Sequence, residues 1–266
     1  MALALEVAGN YEKFSRTNRA STERVSQLKI QIPKMNTQLE VVKKFESIDL
    51  KIQEKRKIIS DSLKAIDKKY NEIFDLDDYE KKQINELYDL QLGATPSRNN
   101  ADYWIDGTEK WISVGDMGKY IEYTENTSEK ITKLAIEEGN IKCVPKGTVI
   151  MSFKLTVGRT AITSEDIYTN EAIMSFLPKD GTSISNLFLK IYLSKYNWED
   201  DTMDAVKGST LNKDSIGAAT ISIPPHEIQK SFEKEVKSLY QKANSNNDEL
   251  IKLLEARDIL LTKYIR

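Results

Sequence analysis

Two stretches of seven-residue periodicity constrain this chain more than anything else in it. From Thr37 to Phe74, Phe45, Ile52, Ile59, Ile66 and Ile73 recur every seventh residue, flanked by Val41, Ile48, Leu63 and Tyr70, with no proline or glycine between them. From His226 to Tyr264 the pattern returns. Phe232, Leu239, Asn246, Leu253 and Leu260 form one series, and Val236, Ala243, Leu250, Arg257 and Tyr264 form another. A helix of about 40 residues is about 60 Å long, and lone helices of that length are rare. Each stretch supplies the other's mate, so the spacing predicts two long antiparallel coiled-coil helices. Asn246 falls on the seam beside Asn244 and Asn247. It either fixes register and partner number or marks a local widening where water enters.

Each helix follows the same short signature. LKIQIPKMNTQ (Leu28 to Gln38) and ATISIPPHEIQ (Ala219 to Gln229) align at one constant offset, which places Ile30, Ile32, Pro33 and Gln38 on Ile221, Ile223, Pro224 and Gln229, and Val25 on Ile216. A strand that exits through proline into a helix therefore occurs twice, with one globular insert between the copies. The layout implies four parts: residues 1–33, a helix and strand resembling the end of a preceding domain; 34–76, the first long helix; 77–224, a mixed α/β unit; and 225–266, the second long helix. The fold class is α+β.

Composition sets outer limits. With 39% hydrophobic and 30% charged residues the chain can bury a core, but much of it must be solvated helix surface. The single cysteine excludes an internal disulfide framework and fits a reducing, cytoplasmic setting. No apolar run approaches the roughly 18 to 20 residues needed to cross a bilayer, and the opening MALALEVAGN lacks the basic start of a secretory signal. A net charge of −2 argues against indiscriminate polyanion binding.

Within the central unit, Gly93 and Pro96 mark an opening loop. WISVGDM (Trp111 to Met117), GTVIMSF (Gly147 to Phe153), GRTAITS (Gly158 to Ser164) and EAIMSFLP (Glu171 to Pro178) read as strands, the middle two joined by a turn at Lys154 to Val157. SNLFLKIYLSKY (Ser185 to Tyr196) has helical spacing with a serine at its capping position.

Catalytic chemistry finds no foothold. A methyltransferase needs a glycine-rich cofactor turn and a polar-Pro-Pro-aromatic motif; IPPH (Ile223 to His226) has neither the polar residue before its prolines nor the aromatic after them. A metal nuclease needs clustered acids with a lysine after a strand. WEDDTMD (Trp198 to Asp204) has no histidine near it and reads as an acidic solvated loop. The lone His226 opens the second helix as a solvent-facing residue. Cys143 lies next to Lys142, which could lower its pKa, but with no base in view it reads as a small core residue. The chain is expected not to be an enzyme, to bind no metal and to carry no cofactor of its own.

Charge patterning is more telling. The central unit is acidic overall, yet Gly139 to Ser164 contains no acid while carrying Lys142, Lys146, Lys154 and Arg159. Lys207, Ser209 and Lys213 lie around the polar turn KGSTLNK. Cations neutralise phosphates, and short polar side chains position the backbone or read base edges. Candidate DNA contacts are Ser97, Arg98 and Asn99; Lys146, Lys154, Thr156 and Arg159; and Lys207, Ser209 and Lys213. Trp104 and Trp111 read as core rather than as stacking platforms. On charge alone, ordinary solvated turn charges are the better account.

Taken together, the motifs resemble those of the DNA-specificity subunits of type I restriction-modification systems. ATPSRNNADYWIDGTEKWISVGDM (Ala94 to Met117) is similar to the opening of a target recognition domain, and VPKGTVIMSFKLTVGRTAI (Val144 to Ile162) and TNEAIMSFLP (Thr169 to Pro178) to its next two signatures. GSTLNKDSIGAATISIPPHEIQ (Gly208 to Gln229) resembles its exit into the family's helical region. The likeness runs from about Gln27 to the C-terminus. It departs at Leu-Gly-Ala-Thr, where Ser-Gly-Gly-Thr is commoner, and in size, since family members usually carry two recognition domains.

The resemblance implies a half-sized, non-catalytic subunit reading half of a bipartite duplex target. Its antiparallel helices would set the gap, with an upper reach of about 18 base pairs for a 60 Å rod. Its expected partners are double-stranded DNA, modification (methyltransferase) subunits, a motor-nuclease restriction subunit through the complex, and a second copy of itself. S-adenosylmethionine, ATP and Mg are expected on those partner subunits, where the adenine is extruded and methylated. The alternatives are an inactive or cassette-donor fragment, or a coiled-coil scaffold whose α/β unit binds protein.

Overall fold

The computed structural model describes residues 21–27, 34–74, 79–198 and 211–264. The helix expected ahead of the strand Leu28 to Ile32 within residues 1–20, that strand itself, and the candidates Lys207 and Ser209 lie outside these residues. After a single helical turn at Thr22–Ser26 come α1 (Met35–Phe74), β1 (Glu80–Gln83), α2 (Ile84–Leu87), β2 (Tyr88–Leu92), a 3₁₀ turn at Ala101–Tyr103, β3 (Glu109–Ile112), α3 (Val114–Met117), β4 (Glu129–Ile131) and α4 (Lys133–Gly139). There follow β5 (Val149–Ser152), β6 (Thr160–Ile162), β7 (Tyr168–Thr169), β8 (Ile173–Pro178), α5 (Asn186–Lys195), α6 (Lys213–Ala218), β9 (Thr220–Ile223) and α7 (His226–Tyr264). The chain forms two compact units, Met1–Leu63 with Gln241–Arg266, and Lys64–Tyr240.

In the first unit α1 and α7 run antiparallel. Lys44 donates to the Tyr264 hydroxyl at 3.0 Å, Arg257 pairs with Asp49 at 2.8 Å, and Lys55 with Glu249 at 2.6 Å, so one helix's numbering falls as the other's rises. Phe45 and Ile52 are buried on α1 and Ala243 on α7. The rest of the seam is shallower, with Ile59, Leu250, Leu253 and Leu260 half-buried. Asn246 is half-buried too, and its amide donates to the Lys242 carbonyl one turn back at 2.8 Å, a bond within its own helix.

In the second unit the remaining turns of both helices pack around α5. Ile66, Tyr70, Phe188, Phe232, Val236 and Tyr240 are buried; Ile73 and Leu239 are half-buried. Tyr70 stands 6.5 Å edge-on to Phe232 and 6.2 Å from Phe188. Phe232, Val236 and Tyr240 step by four and four, so the buried stripe here follows the face turned to α5 rather than a strict heptad. Burying each large side chain contributes about 2 kcal/mol.

Three sheets build the rest of this unit. β1 and β9 pair antiparallel from Glu80↔Ile223 to Gln83↔Thr220, joining the start and end of the α/β segment. The four-stranded sheet has the order β2-β8-β5-β6, and the three-stranded one β4-β3-β7, with β3 and β7 parallel. β5 and β8 are buried along nearly their whole length, which explains their mostly apolar sequences, interrupted only by the buried Ser152 and Ser175. Ser185 caps α5 by accepting from the Phe188 amide, as its position predicts. The repeated glutamine also has a structural role. Gln229 is buried and accepts from the Ser185 amide at 3.0 Å while donating to the Pro224 carbonyl at 2.8 Å. WISVGDM is a strand only to Ile112; Ser113 then caps the one-turn α3.

Candidate nucleic-acid interface

The described residues singled out by sequence fall at four separate places on the second unit. The most exposed is the loop joining β5 to β6. Ser152 and Arg159 close its neck, the Ser152 amide donating to the Arg159 carbonyl at 2.9 Å and the Gly158 amide to the Ser152 carbonyl at 2.9 Å. Inside, the Ser152 hydroxyl donates to the Thr156 carbonyl at 2.5 Å. Phe153 is buried beneath the loop, while Lys154, Leu155, Thr156, Val157 and Arg159 are exposed. The Lys154 ammonium lies 5.3 Å from the Phe153 ring. Among the described residues no carboxylate pairs with Lys154 or Arg159, in keeping with the acid-free sequence around them.

Arg159 is seated by a feature that sequence reasoning missed. A Cβ on Gly118 would stand 2.6 Å from Arg159 Nη1, so the guanidinium rests against the bare glycine and would have to swing aside for any larger residue. The turn carrying Gly118 is pinned by Asp116, which is fully buried. Its carboxylate accepts from Ser113 Oγ at 2.8 Å, Ser128 Oγ at 3.0 Å and Lys119 Nζ at 2.9 Å, and from the Ser113 and Ser128 amides at 3.2 and 3.3 Å. Burial alone would raise its pKa; the bonds from Lys119, Ser113 and Ser128 outweigh burial and hold the carboxyl below its ordinary range. The Asp-Met signature is therefore architecture beneath the interface.

The second surface is the loop from Thr95 to Asn100. Arg98 is engaged: its guanidinium forms a two-pronged bond to Glu129 at 2.5 and 3.0 Å and lies 3.7 Å over the Trp104 ring. Glu129 raises its pKa further. Trp104 in turn stands edge-on to the buried Trp111 at 5.3 Å and donates to the Ser97 carbonyl. Both tryptophans belong to this scaffold, and Ser97 and Asn99 remain exposed on it. Thr95 bonds Glu171 and accepts from the Asn170 amide at 2.9 Å, while Ala172 accepts from the Phe153 amide at 2.9 Å. Residues 170–172 thus tie this loop to the root of the β5–β6 hairpin. Gly93 makes the crossing possible, since a Cβ there would meet the Thr169 carbonyl at 2.2 Å.

Lys146 is not brought to the hairpin tip. It precedes β5 at the opposite end of the strand, its amide donating to Asp166 at 2.8 Å, and it lines a 690 Å³ groove with Tyr123, Asn186, Glu233 and Lys237. Lys213 is exposed at the start of α6, whose Asn212 cap accepts from the Asp214 and Ser215 amides.

Cys143 departs from expectation. It is exposed, with Ile141 and Val144 taking the buried positions on either side. Desolvation and the nearby Asp166 raise its thiol pKa, against the lowering expected from Lys142. His226 is exposed, as expected. Among the described residues no three His, Cys, Asp or Glu side chains gather to hold a metal ion, and no helix is long and apolar enough to cross a membrane.

An α/β unit presenting a cationic hairpin, joined to two long antiparallel helices, defines a binding module carried on a helix pair. Residues 76–256 match the family described as "Type I restriction modification DNA specificity domain", and the chain belongs to that family. It is 29% identical over 194 residues to the HindI specificity subunit of Haemophilus influenzae, a match covering 70% of this chain and 41% of the relative. It is 30% identical over 163 residues to the MjaIX specificity subunit of Methanocaldococcus jannaschii, covering 58% and 36%. These matches span well under half of the relatives' length. The fold is similar to the crystal structure of a type I restriction-modification S subunit from M. genitalium, with a TM-score of 0.63 at 15% identity, over 100% of this chain and 73% of that one.

Proposed function

We propose that this chain is a non-catalytic DNA-specificity subunit that reads one half of a bipartite duplex target. The carrying observation is the β5–β6 hairpin: two exposed cations, unpaired with any acid among the described residues, on a protein whose net charge is −2. An acidic body with one cationic projection repels DNA except where the projection docks, which favours site-specific over indiscriminate binding. In this reading the module works in the cytoplasm with modification subunits that bind S-adenosylmethionine, and with a motor-nuclease subunit using ATP and Mg. Residues 77–224 act as the recognition domain, and the two helices set the separation of half-sites.

Self-pairing is part of the reading. Met35, Leu39, Val42 and Leu50 on α1 and Ile251 and Ile259 on α7 are exposed in the first unit, more apolar surface than a solvated helix pair needs. A second copy packing there would present two hairpins and demand a palindromic target. The test is DNA binding at graded salt with the modification subunit present, followed by a methylome of cells carrying both genes. A methylated bipartite palindrome is expected. Sequence-independent binding, or none, points to a donor fragment, and a strictly monomeric chain in sedimentation with and without DNA removes the self-pairing.

A further inference from the structure

The apex of the β5–β6 hairpin carries a leucine where folding alone gives no reason for one. Leu155 is 93% exposed, and its backbone is left-handed, with φ at 65°. That region crowds any side chain with a Cβ and is usually left to glycine or asparagine. Val157 beside it is 46% exposed, Thr156 is exposed, and Lys154 and Arg159 bracket the group. Neither burial nor backbone ease accounts for Leu155. A strained apolar residue, displayed by a loop whose neck is closed by two backbone hydrogen bonds, points to a partner that covers it.

We propose that Leu155 is a base reader whose side chain packs against the 5-methyl group of a thymine in the major groove, while Lys154 and Arg159 meet the flanking phosphates. This rests on the reading of the second unit as a duplex-DNA reader and adds the contact that selects sequence. A two-stranded ribbon enters the roughly 12 Å major groove and is too broad for the roughly 6 Å minor groove. Along the major-groove base edges the only apolar group is the thymine methyl. The bracketing cations, free of acidic partners among the described residues, complement a duplex better than a protein surface.

The test begins with a random-sequence duplex pool, from which the chain with its modification subunit selects a preferred site. Each thymine of that site is then replaced in turn by deoxyuridine, which removes the methyl and nothing else. At one position the replacement is expected to weaken binding about fourfold, the factor carried by burying one such group. The same replacement should leave Leu155→Asn unaffected, and that variant's own selected site should lose its preference there. Asparagine suits the left-handed backbone, so the variant should fold and melt about 2 °C higher.

A selected site at which no uracil is felt, or a uracil penalty that persists in Leu155→Asn, overturns the assignment while leaving the DNA-reading function intact. So does a Leu155→Asn protein that keeps its site but no longer assembles with the modification subunit, which would give the apex to a protein contact. A pool yielding no enriched site removes the DNA-reading function itself, and this inference with it.

Discussion

The loop around Arg98 and the hairpin around Arg159 carry the same kind of residue to opposite ends. Arg98 is held by both oxygens of Glu129 and lies flat on Trp104. Arg159 lies against the bare backbone of Gly118, and no carboxylate pairs with it among the described residues. A basic residue in a candidate interface is thus informative only once its partner is known. One guanidinium fastens a loop; the other is available to a phosphate.

Four variants test this contrast, beginning with the largest effect. Asp116→Ala removes the acceptor of five hydrogen bonds from the turn beneath Arg159 and should lower unfolding stability by about 3 kcal/mol in urea titrations. The lowered Asp116 pKa means that its stabilisation is present above the ordinary carboxylate pKa and is lost as pH falls through the folded one. The wild-type advantage over the variant should therefore shrink in acid. A loss under 1 kcal/mol at pH 7 would show that the turn does not depend on it.

Lys190 is a third cation, buried on α5 with its ammonium 3.3 Å from the Tyr240 hydroxyl. Desolvation lowers its pKa from 10.5 to about 8, against the opposing pull of Glu122 and Asp67. The penalty for burying that charge is full below about pH 8 and fades as pH climbs toward 10.5. Lys190→Met should accordingly stabilise the fold by about 2 kcal/mol at pH 7, with less gain at pH 10. Equal gains at both values would mean that the ammonium is not desolvated.

The double variant Lys154→Ala, Arg159→Ala should weaken duplex binding about tenfold at moderate salt. It should also lower the slope of log affinity against log salt by about 2, with unchanged melting. Arg98→Ala should do the reverse, costing about 1 kcal/mol of stability while leaving the salt slope alone. If Arg98→Ala flattens the slope as much as the hairpin double variant does, the distinction between the two loops fails.

The helices were legible because their signal is periodic and long. α7 spans the stretch read from sequence, and α1 begins only two residues before it. Strands β5, β6 and β8 showed themselves through β-branched runs broken by turns. Tyr240 went unread because a heptad frame places Leu239 inside, whereas packing on α5 shifts the buried stripe by one residue. The Arg98–Glu129 pair joins residues far apart in sequence, and nothing local marks it. Gly118 carried a signal, a glycine directly after the Asp-Met pair, but what lies against it is a side chain from the distant β5–β6 loop. Cys143 was misplaced because type alone favours the interior, while Ile141 and Val144, three residues apart, take the buried positions and leave Lys142 and Cys143 outside.

The pairing of β1 with β9 has a further consequence. Gln83 and Thr220 face each other across that ladder, so everything from Ile84 to Ala219 departs and returns through one doorway. Length changes confined to exposed loops of that interval, such as the one joining β5 to β6, alter what is displayed and leave the β1–β9 ladder in register.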